Sequence, residues 1–219
     1  MTGETTDRHS ERSARTRNLF IEAAQRLFAE RSVDSVSLNE VTVAAGQKNR
    51  NALQYHFNDR NGLLQAIIDS HASRVYELRQ HYLNQGAPAD CHVTRAAAKA
   101  LINPLAEYVE ENPTAIYYVK ILSQLAALNS PLVNPATTSG LSFQQDERLA
   151  ELMRNAVAHL QPTEAQRRLF LVVSITFHSI ADICRASDSS DTSGTLRQRA
   201  GMFDQVILAV ESLLAAPPL

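Results

Sequence analysis

The sequence has few of the residues that interrupt helices and few of those that cross-link secreted domains. Its 219 residues include seven glycines and eight prolines, and no proline precedes Pro88. The first 87 residues can therefore run as helices joined by short turns, which disfavours a glycine-rich all-β protein. The two cysteines, Cys91 and Cys184, form no CxxC motif, and no apolar signal stretch follows Met1. This pattern is typical of a reduced, cytoplasmic protein.

Long hydrophobic runs are also missing. The longest, from Leu169 to Cys184, is interrupted by serine, threonine, histidine and aspartate residues and is too short to span a bilayer. We therefore interpret it as a buried helix and expect no membrane partner.

A strong charge of either sign is absent, because the formal net charge is -2. This excludes a uniformly basic nucleic-acid binder but not a local basic face. Up to Arg60 there are nine lysines and arginines against eight acids, whereas acids exceed bases by three in the remainder. The two parts are expected to meet different partners.

Helical periodicity dominates what is present. An apolar stripe from Leu19 to Phe28 predicts a first helix, and a longer stripe from Leu63 ends at the Asn84–Pro88 break. We predict an all-α fold of about nine helices, with an N-terminal three-helix helix-turn-helix domain and a C-terminal helical bundle. The predicted bounds are 1–13 for a flexible arm, 14–60 for the helix-turn-helix domain, and 61–219 for the helical bundle.

The region after the first helix has the layout of a helix-turn-helix DNA reader. Ser37 and Glu40 have capping-box spacing, Gly46 fits a turn, and Asn49 or Asn51 can cap the next short helix. Within nine positions this segment supplies seven side chains able to contact phosphates or base edges: Lys48, Asn49, Arg50, Asn51, Gln54, Tyr55 and His56.

Between Leu19 and Leu64 the sequence resembles the TetR family of transcriptional repressors. The resemblance rests on the first helix, Ser37–Val41, Ala45-Gly46, Leu53–Phe57 and Leu63-Leu64. Two departures concern the reading helix: one residue more than usual separates Gly46 from Leu53, and Gln54 stands where the family usually has an aromatic. Which residue from Lys48 to Asn51 reads bases is left open.

The resemblance implies a homodimer built on the last two helices, a palindromic double-stranded DNA operator, and release by a small-molecule effector. By position, Tyr55 and His56 would touch phosphates, although Tyr55 as a packing residue and His56 as a buried, hydrogen-bonded histidine are open alternatives. Ser37 could place its backbone N–H and hydroxyl on a phosphate, and Asn39 would face the groove. Arg60 is interpreted as a solvated or phosphate-facing charge, and the arginines of the arm as minor-groove contacts or a solvated tail.

For the effector we select aromatic or polar residues on otherwise apolar faces of the second domain, each of which also fits an ordinary core. They are Tyr117, Gln124, Phe143, Met153, Phe170, Ser174, Phe177, His178 and Asp182. His178 and Asp182 are four residues apart, which suits a polar handle for a ligand, a buried ion pair or, least of all, two metal ligands. We predict no metal site and no cofactor.

The sequence also leaves two other functional classes open. An all-α enzyme is one, but no nucleophile–base set, GxSxG, HExxH or phosphate-binding glycine loop is present, so we predict no enzyme. A helical module that binds protein instead of DNA is the other. The favoured hypothesis is a ligand-responsive transcriptional regulator that acts as a repressor.

Overall fold

The computed structural model describes residues 3–84, 92–129, 140–144, 146–190 and 194–218. These ranges contain ten α-helices and no strand, which confirms the all-α prediction. The chain divides into two compact units, Met1–Ser70 and His71–Leu219. The division falls within one long helix.

Unit 1 contains α1 (Gly3–Glu30), α2 (Leu38–Ala44), α3 (Arg50–Phe57) and the first part of α4 (Arg60–Asn84). The apolar stripes predicted from the sequence face inward, and α1 packs against both α2 and α3. The buried core of this unit includes Phe20, Ala24, Phe28, Val41, Leu53, Phe57, Leu63 and Ile67.

Residues 3–13 of the predicted flexible arm are helical, since α1 already begins at Gly3. Hydrophobic periodicity reports a buried face, and residues 10–12 and 14–15 are exposed. A solvated extension of a helix produces no apolar stripe, so the pattern found only the part of α1 that packs.

Unit 2 contains the rest of α4, followed by α5 (Val93–Glu111), α6 (Ala115–Asn129), α7 (Glu147–Ala156), α8 (Pro162–Asp188), α9 (Gly194–Arg197) and α10 (Arg199–Ala215). α8 packs against α6 and α10, while α5 packs against α7 and α10. The last helical stretch of the chain is interrupted at Gln198, where the backbone leaves the helical conformation. The result is a short α9 before α10.

α8 is the one helix in the described ranges that is long and apolar enough to cross a membrane by length and composition alone, with a mean hydropathy of 1.5 over its most apolar window. Core helices meet the same criterion. Ile180 and Cys184 of α8 are buried in the core of unit 2, as the sequence interpretation expected.

Candidate functional site

The start of α2 is held by a complete capping box. The Ser37 hydroxyl accepts a hydrogen bond from the Glu40 backbone N–H (3.2 Å), and the Glu40 carboxylate accepts from the Ser37 backbone N–H (2.8 Å). Arg31 donates to the same carboxylate at 2.5 Å. These bonds, with the Ser37 backbone first, lower the pKa of Glu40 to about 2, so the cap is charged at neutral pH.

This cap changes what Ser37 can offer to DNA. Both the backbone N–H and the hydroxyl of Ser37 already donate to the Glu40 carboxylate, each at 2.8 Å. The predicted capping box is therefore confirmed, while the predicted phosphate contact would have to compete with it. Asn39, one residue into α2, is exposed.

The turn between α2 and α3 depends on Gly46. Its φ of 67° lies in the left-handed region, where a glycine has no side chain to strain. The Gly46 N–H donates to the Val43 carbonyl and the Gln47 N–H donates to the Thr42 carbonyl, both at 3.0 Å. This is a Schellman motif, which ends α2 and redirects the chain toward α3.

α3 begins after Asn49, whose side chain accepts a hydrogen bond from the Asn51 backbone N–H at 3.0 Å. Leu53 and Phe57 are buried and anchor the helix to unit 1. The opposite face is polar and solvent-accessible, with exposed Lys48, Asn49, Asn51, Gln54 and Tyr55. Tyr55 is 80% exposed, which places it on the open surface and not in the core. Arg50 is the first residue of α3, but its side chain lies outside the described residues.

The junction between α3 and α4 is crowded around the Phe57 carbonyl. This oxygen accepts a hydrogen bond from the Asp59 N–H at 2.7 Å, across Asn58 with a φ of 66° and ψ of -59°. Such a γ-turn with positive φ is rare and strained. A Cβ on Gly62 would lie 1.9 Å from the same oxygen, so only glycine fits there without movement of the backbone.

Sequence reasoning missed Asn58 and Gly62 as residues that position α3. The available signal was a glycine inside the first turn of a helix, where it is intrinsically unfavourable and usually has a packing reason. The Asp59 side chain accepts a hydrogen bond from the Gly62 N–H at 2.8 Å and so caps the start of α4.

Of the two alternatives for Arg60, a solvated or a phosphate-facing charge, the structure contradicts the first. The Arg60 guanidinium donates to the Val33 carbonyl and lies 5.8 Å from the centre of the Phe28 ring. Arg60 is half-buried and has its partners inside unit 1. It therefore links the start of α4 to the segment after α1.

His56 lies between its two alternatives, because it packs against aromatic rings but is not fully buried. It is half-buried, with its ring centroid 6.2 Å from that of Phe20 and 6.0 Å from that of Phe57. Burial, with a smaller contribution from Arg17, lowers the pKa of His56. The ring is therefore neutral at neutral pH, which weakens any contact it could make with a phosphate. Arg17 lies over the Phe57 ring, with its guanidinium carbon 5.2 Å from the ring centroid.

The nine effector candidates differ in burial and do not share one environment in unit 2. Met153 is fully buried in the core, and Phe143 and Phe177 pack against that core. Tyr117 and Ser174 are half-buried, whereas Gln124, Phe170, His178 and Asp182 are exposed. The buried ion pair suggested for His178 and Asp182 is therefore wrong, and Asp182 instead accepts a hydrogen bond from Arg185 Nε at 3.0 Å. Over the described ranges, no three His, Cys, Asp or Glu side chains group as a metal site would require.

The helix-turn-helix of unit 1 agrees with a comparison to known protein families. The family described as "Bacterial regulatory proteins, tetR family" matches residues 20–67, which run from the buried part of α1 into α4. This helix-turn-helix is that of the TetR family. Members of this family are helix-turn-helix DNA-binding transcriptional regulators, and that description applies to this chain.

Two TetR-family relatives illustrate how far the likeness extends. The HTH-type transcriptional regulator AcrR of Shigella flexneri is 24% identical over 159 residues, which is 72% of each chain. The HTH-type transcriptional regulator TtgR of Pseudomonas putida is 40% identical over 74 residues, covering 34% of this chain and 33% of TtgR. High identity is thus confined to a short part of the chain.

Solved structures of TetR-family proteins align with most of the chain at low identity. One described as a TetR-family transcriptional regulator from Rhodococcus sp. covers 92% of this chain and 99% of its own, with a TM-score of 0.49 and 16% identity. A gamma-butyrolactone receptor described as ArpA-like covers 92% of this chain and 98% of its own, with a TM-score of 0.45 and 19% identity.

Proposed function

We propose that this TetR-family chain is a cytoplasmic, ligand-responsive repressor that binds a palindromic operator as a homodimer and is released by a small-molecule effector. The observation that carries the proposal is the exposed polar face of α3, which is anchored from behind by Leu53 and Phe57. An α-helix held in this way is the element that helix-turn-helix proteins insert into the major groove.

The dimensions and chemistry of α3 suit that groove. Its eight residues extend about 12 Å, comparable with the width of the B-DNA major groove. Asn51 and Gln54 are three residues apart on the exposed face, and both carry amides that can pair with adenine. Lys48 precedes the helix as an exposed cation suited to a phosphate.

Exposed apolar groups in unit 2 support the homodimer. All of its described large apolar side chains that are exposed lie on the last three helices: Phe170 (37%) and Leu171 (47%) on α8, Leu196 (44%) on α9, and Leu208 (51%) on α10. A second copy of the chain would remove these groups from water. Leu171→Glu with Leu208→Glu should yield monomers in sedimentation, whereas Asn155→Glu, at an exposed position of α7, should not.

Release by an effector requires that the two units be energetically coupled. The division between Ser70 and His71 lies inside α4, so one continuous helix contributes to both units. An effector that prefers the state unable to bind DNA would lower operator affinity by the ratio of its affinities for the two states.

DNA titrations of variants test the role of α3. Arg50→Ala should lose about 1 to 3 kcal/mol on the operator and relax sequence preference. Lys48→Ala should weaken operator and scrambled duplexes alike and reduce the salt dependence by about one counterion. Lys99→Ala, an exposed lysine of α5, is the matched control and should leave both affinities unchanged. Equal losses for Arg50→Ala on both duplexes would refute base reading, and no duplex binding at low salt would favour a protein-interaction module.

A further inference from the structure

Arg79 of α4 occupies an unusual position in unit 2. It follows buried Val75 by one helical turn and directly succeeds buried Leu78. Its guanidinium is removed from water far enough that burial lowers the pKa of Arg79, yet the residue keeps part of its surface accessible. Arg79 is therefore a largely buried cation that solvent can still reach.

The Nε side of the Arg79 guanidinium is held by a backbone carbonyl that Pro104 leaves without its usual helical donor. Proline has no backbone N–H, so Pro104 cannot donate to the carbonyl four residues earlier in α5, which belongs to Ala100. Arg79 Nε lies 3.4 Å from that oxygen and donates to it. The proline thus supplies the acceptor that orients the guanidinium.

The two terminal amino groups of Arg79 have no hydrogen-bond or ion-pair partner among the described residues. Asp146 is the acid whose charge acts on Arg79, but its carboxylate already has other donors. One oxygen accepts from Gln80 Nε2 at 2.7 Å, and the other accepts from the N–H groups of Arg148 and Leu149 at the start of α7. The fork of Arg79 is therefore available to a ligand.

The remaining neighbour that acts on the charge of Arg79 is aromatic. It is Tyr118, a buried residue whose ring stacks on His71 with 4.6 Å between centroids and 15° between planes. The Asp146 carboxylate offsets part of the guanidinium charge of Arg79, which suits a singly charged ligand better than a doubly charged phosphate ester.

We propose that Arg79 is the anchoring residue of the effector site and that the effector is an organic monocarboxylate. The two parallel N–H groups of a guanidinium match the two oxygens of a carboxylate. The role as effector site rests on the proposed function, whereas the binding of a carboxylate does not.

Matched acids and amides test the site in the full-length chain. Benzoate and hexanoate are titrated against benzamide and hexanamide at constant ionic strength, by calorimetry and thermal unfolding. Each acid should bind more tightly than its neutral amide, and Arg79→Gln should weaken acid binding by about ten- to a hundredfold. Arg79→Lys should retain part of the binding. Arg154→Gln, at an exposed arginine of α7, should bind like the wild type.

The stability of the ligand-free protein provides a second readout. Arg79 makes one long hydrogen bond within the described structure, so Arg79→Gln should melt at the same temperature as the wild type or higher. A melting temperature several degrees lower would indicate a structural arginine and overturn the proposal. So would wild-type protein that binds neither acid, or acids that bind Arg79→Gln as well as they bind the wild type.

Operator titrations with and without benzoate separate this inference from the proposed function. If the chain binds benzoate through Arg79 but binds no duplex, the proposed carboxylate site is supported and the proposed role as a transcriptional regulator is refuted. A chain that binds an operator but shows no Arg79-dependent acid binding would refute the site alone.

Discussion

The buried histidine at the start of unit 2 should make the protein sensitive to mild acid. His71 is 4% exposed and stacks on Tyr118. Asn112 Nδ2 donates to the Tyr108 hydroxyl oxygen at 3.0 Å, which leaves the Tyr108 O–H to donate to His71 Nδ1 at 2.6 Å. A proton on Nδ1 would remove this acceptor. Burial, in addition, lowers the pKa of His71 from 6.5 to about 4.

The sign and size of the effect follow from linkage. Because the unfolded chain protonates this histidine near pH 6.5 and the folded chain only near 4, the unfolded state binds more protons between these values. The contribution of neutral His71 to the free energy of unfolding is complete above pH 6.5 and is lost as the pH falls toward 4. At 1.36 kcal/mol per pKa unit, the loss amounts to about 3 kcal/mol.

Urea unfolding followed by circular dichroism, at several pH values between 4 and 7.5, measures this loss. His71→Phe keeps an aromatic ring against Tyr118 but cannot titrate, so its stability should fall about 3 kcal/mol less than that of the wild type across this range. His81→Gln, at an exposed histidine on the same helix, should follow the wild type. Identical stability–pH profiles for wild type and His71→Phe, or an imidazole titration of His71 near pH 6.5, would show that burial of His71 does not cause the acid sensitivity.

Three further predictions concern the junction that positions α3. Gly62→Ala places a Cβ 1.9 Å from a backbone oxygen and should lower the free energy of unfolding by about 3 kcal/mol. The melting temperature should then fall by roughly 10 °C or more. Gly194→Ala has open space around its Cβ and should leave the melting temperature unchanged. Asn58→Gly should relieve the positive φ and raise the free energy of unfolding by about 1 kcal/mol in urea titrations; a loss would contradict the strain. Arg60→Ala should lower the free energy of unfolding by about 1 to 3 kcal/mol. At 10 °C, where the chain stays folded, it should change DNA affinity less than Lys48→Ala does. A larger loss of DNA affinity for Arg60→Ala than for Lys48→Ala would indicate that Arg60 contacts a phosphate.

Local features of the fold were predictable because their causes are local. The capping box of Ser37 and Glu40, the turn at Gly46 and the cap at Asn49 each involve residues within a few positions of one another. Short-range spacing therefore reveals them. The extension of α1 to Gly3 was missed because exposed helical residues produce no apolar period.

Features that depend on distant contacts were not predictable from pattern. Arg60 is bonded to the carbonyl of Val33, a partner 27 residues away, and no sequence rule distinguishes this from a solvated arginine. The exposure of the effector candidates on α8 was unpredictable for a similar reason, because a nearly all-round apolar helix does not reveal which face is exposed. Arg79 was missed because its hydrogen bond joins α4 to the Ala100 carbonyl of α5, one turn before Pro104.

Selection from a random duplex pool shows whether α3 reads DNA within a two-fold symmetric complex. Full-length protein should enrich an inverted repeat, and Arg50→Ala should enrich a less defined one while Lys99→Ala enriches the same repeat as the wild type. Enrichment of no sequence over several rounds at low salt, or of a site without two-fold symmetry, would rule out this role of α3.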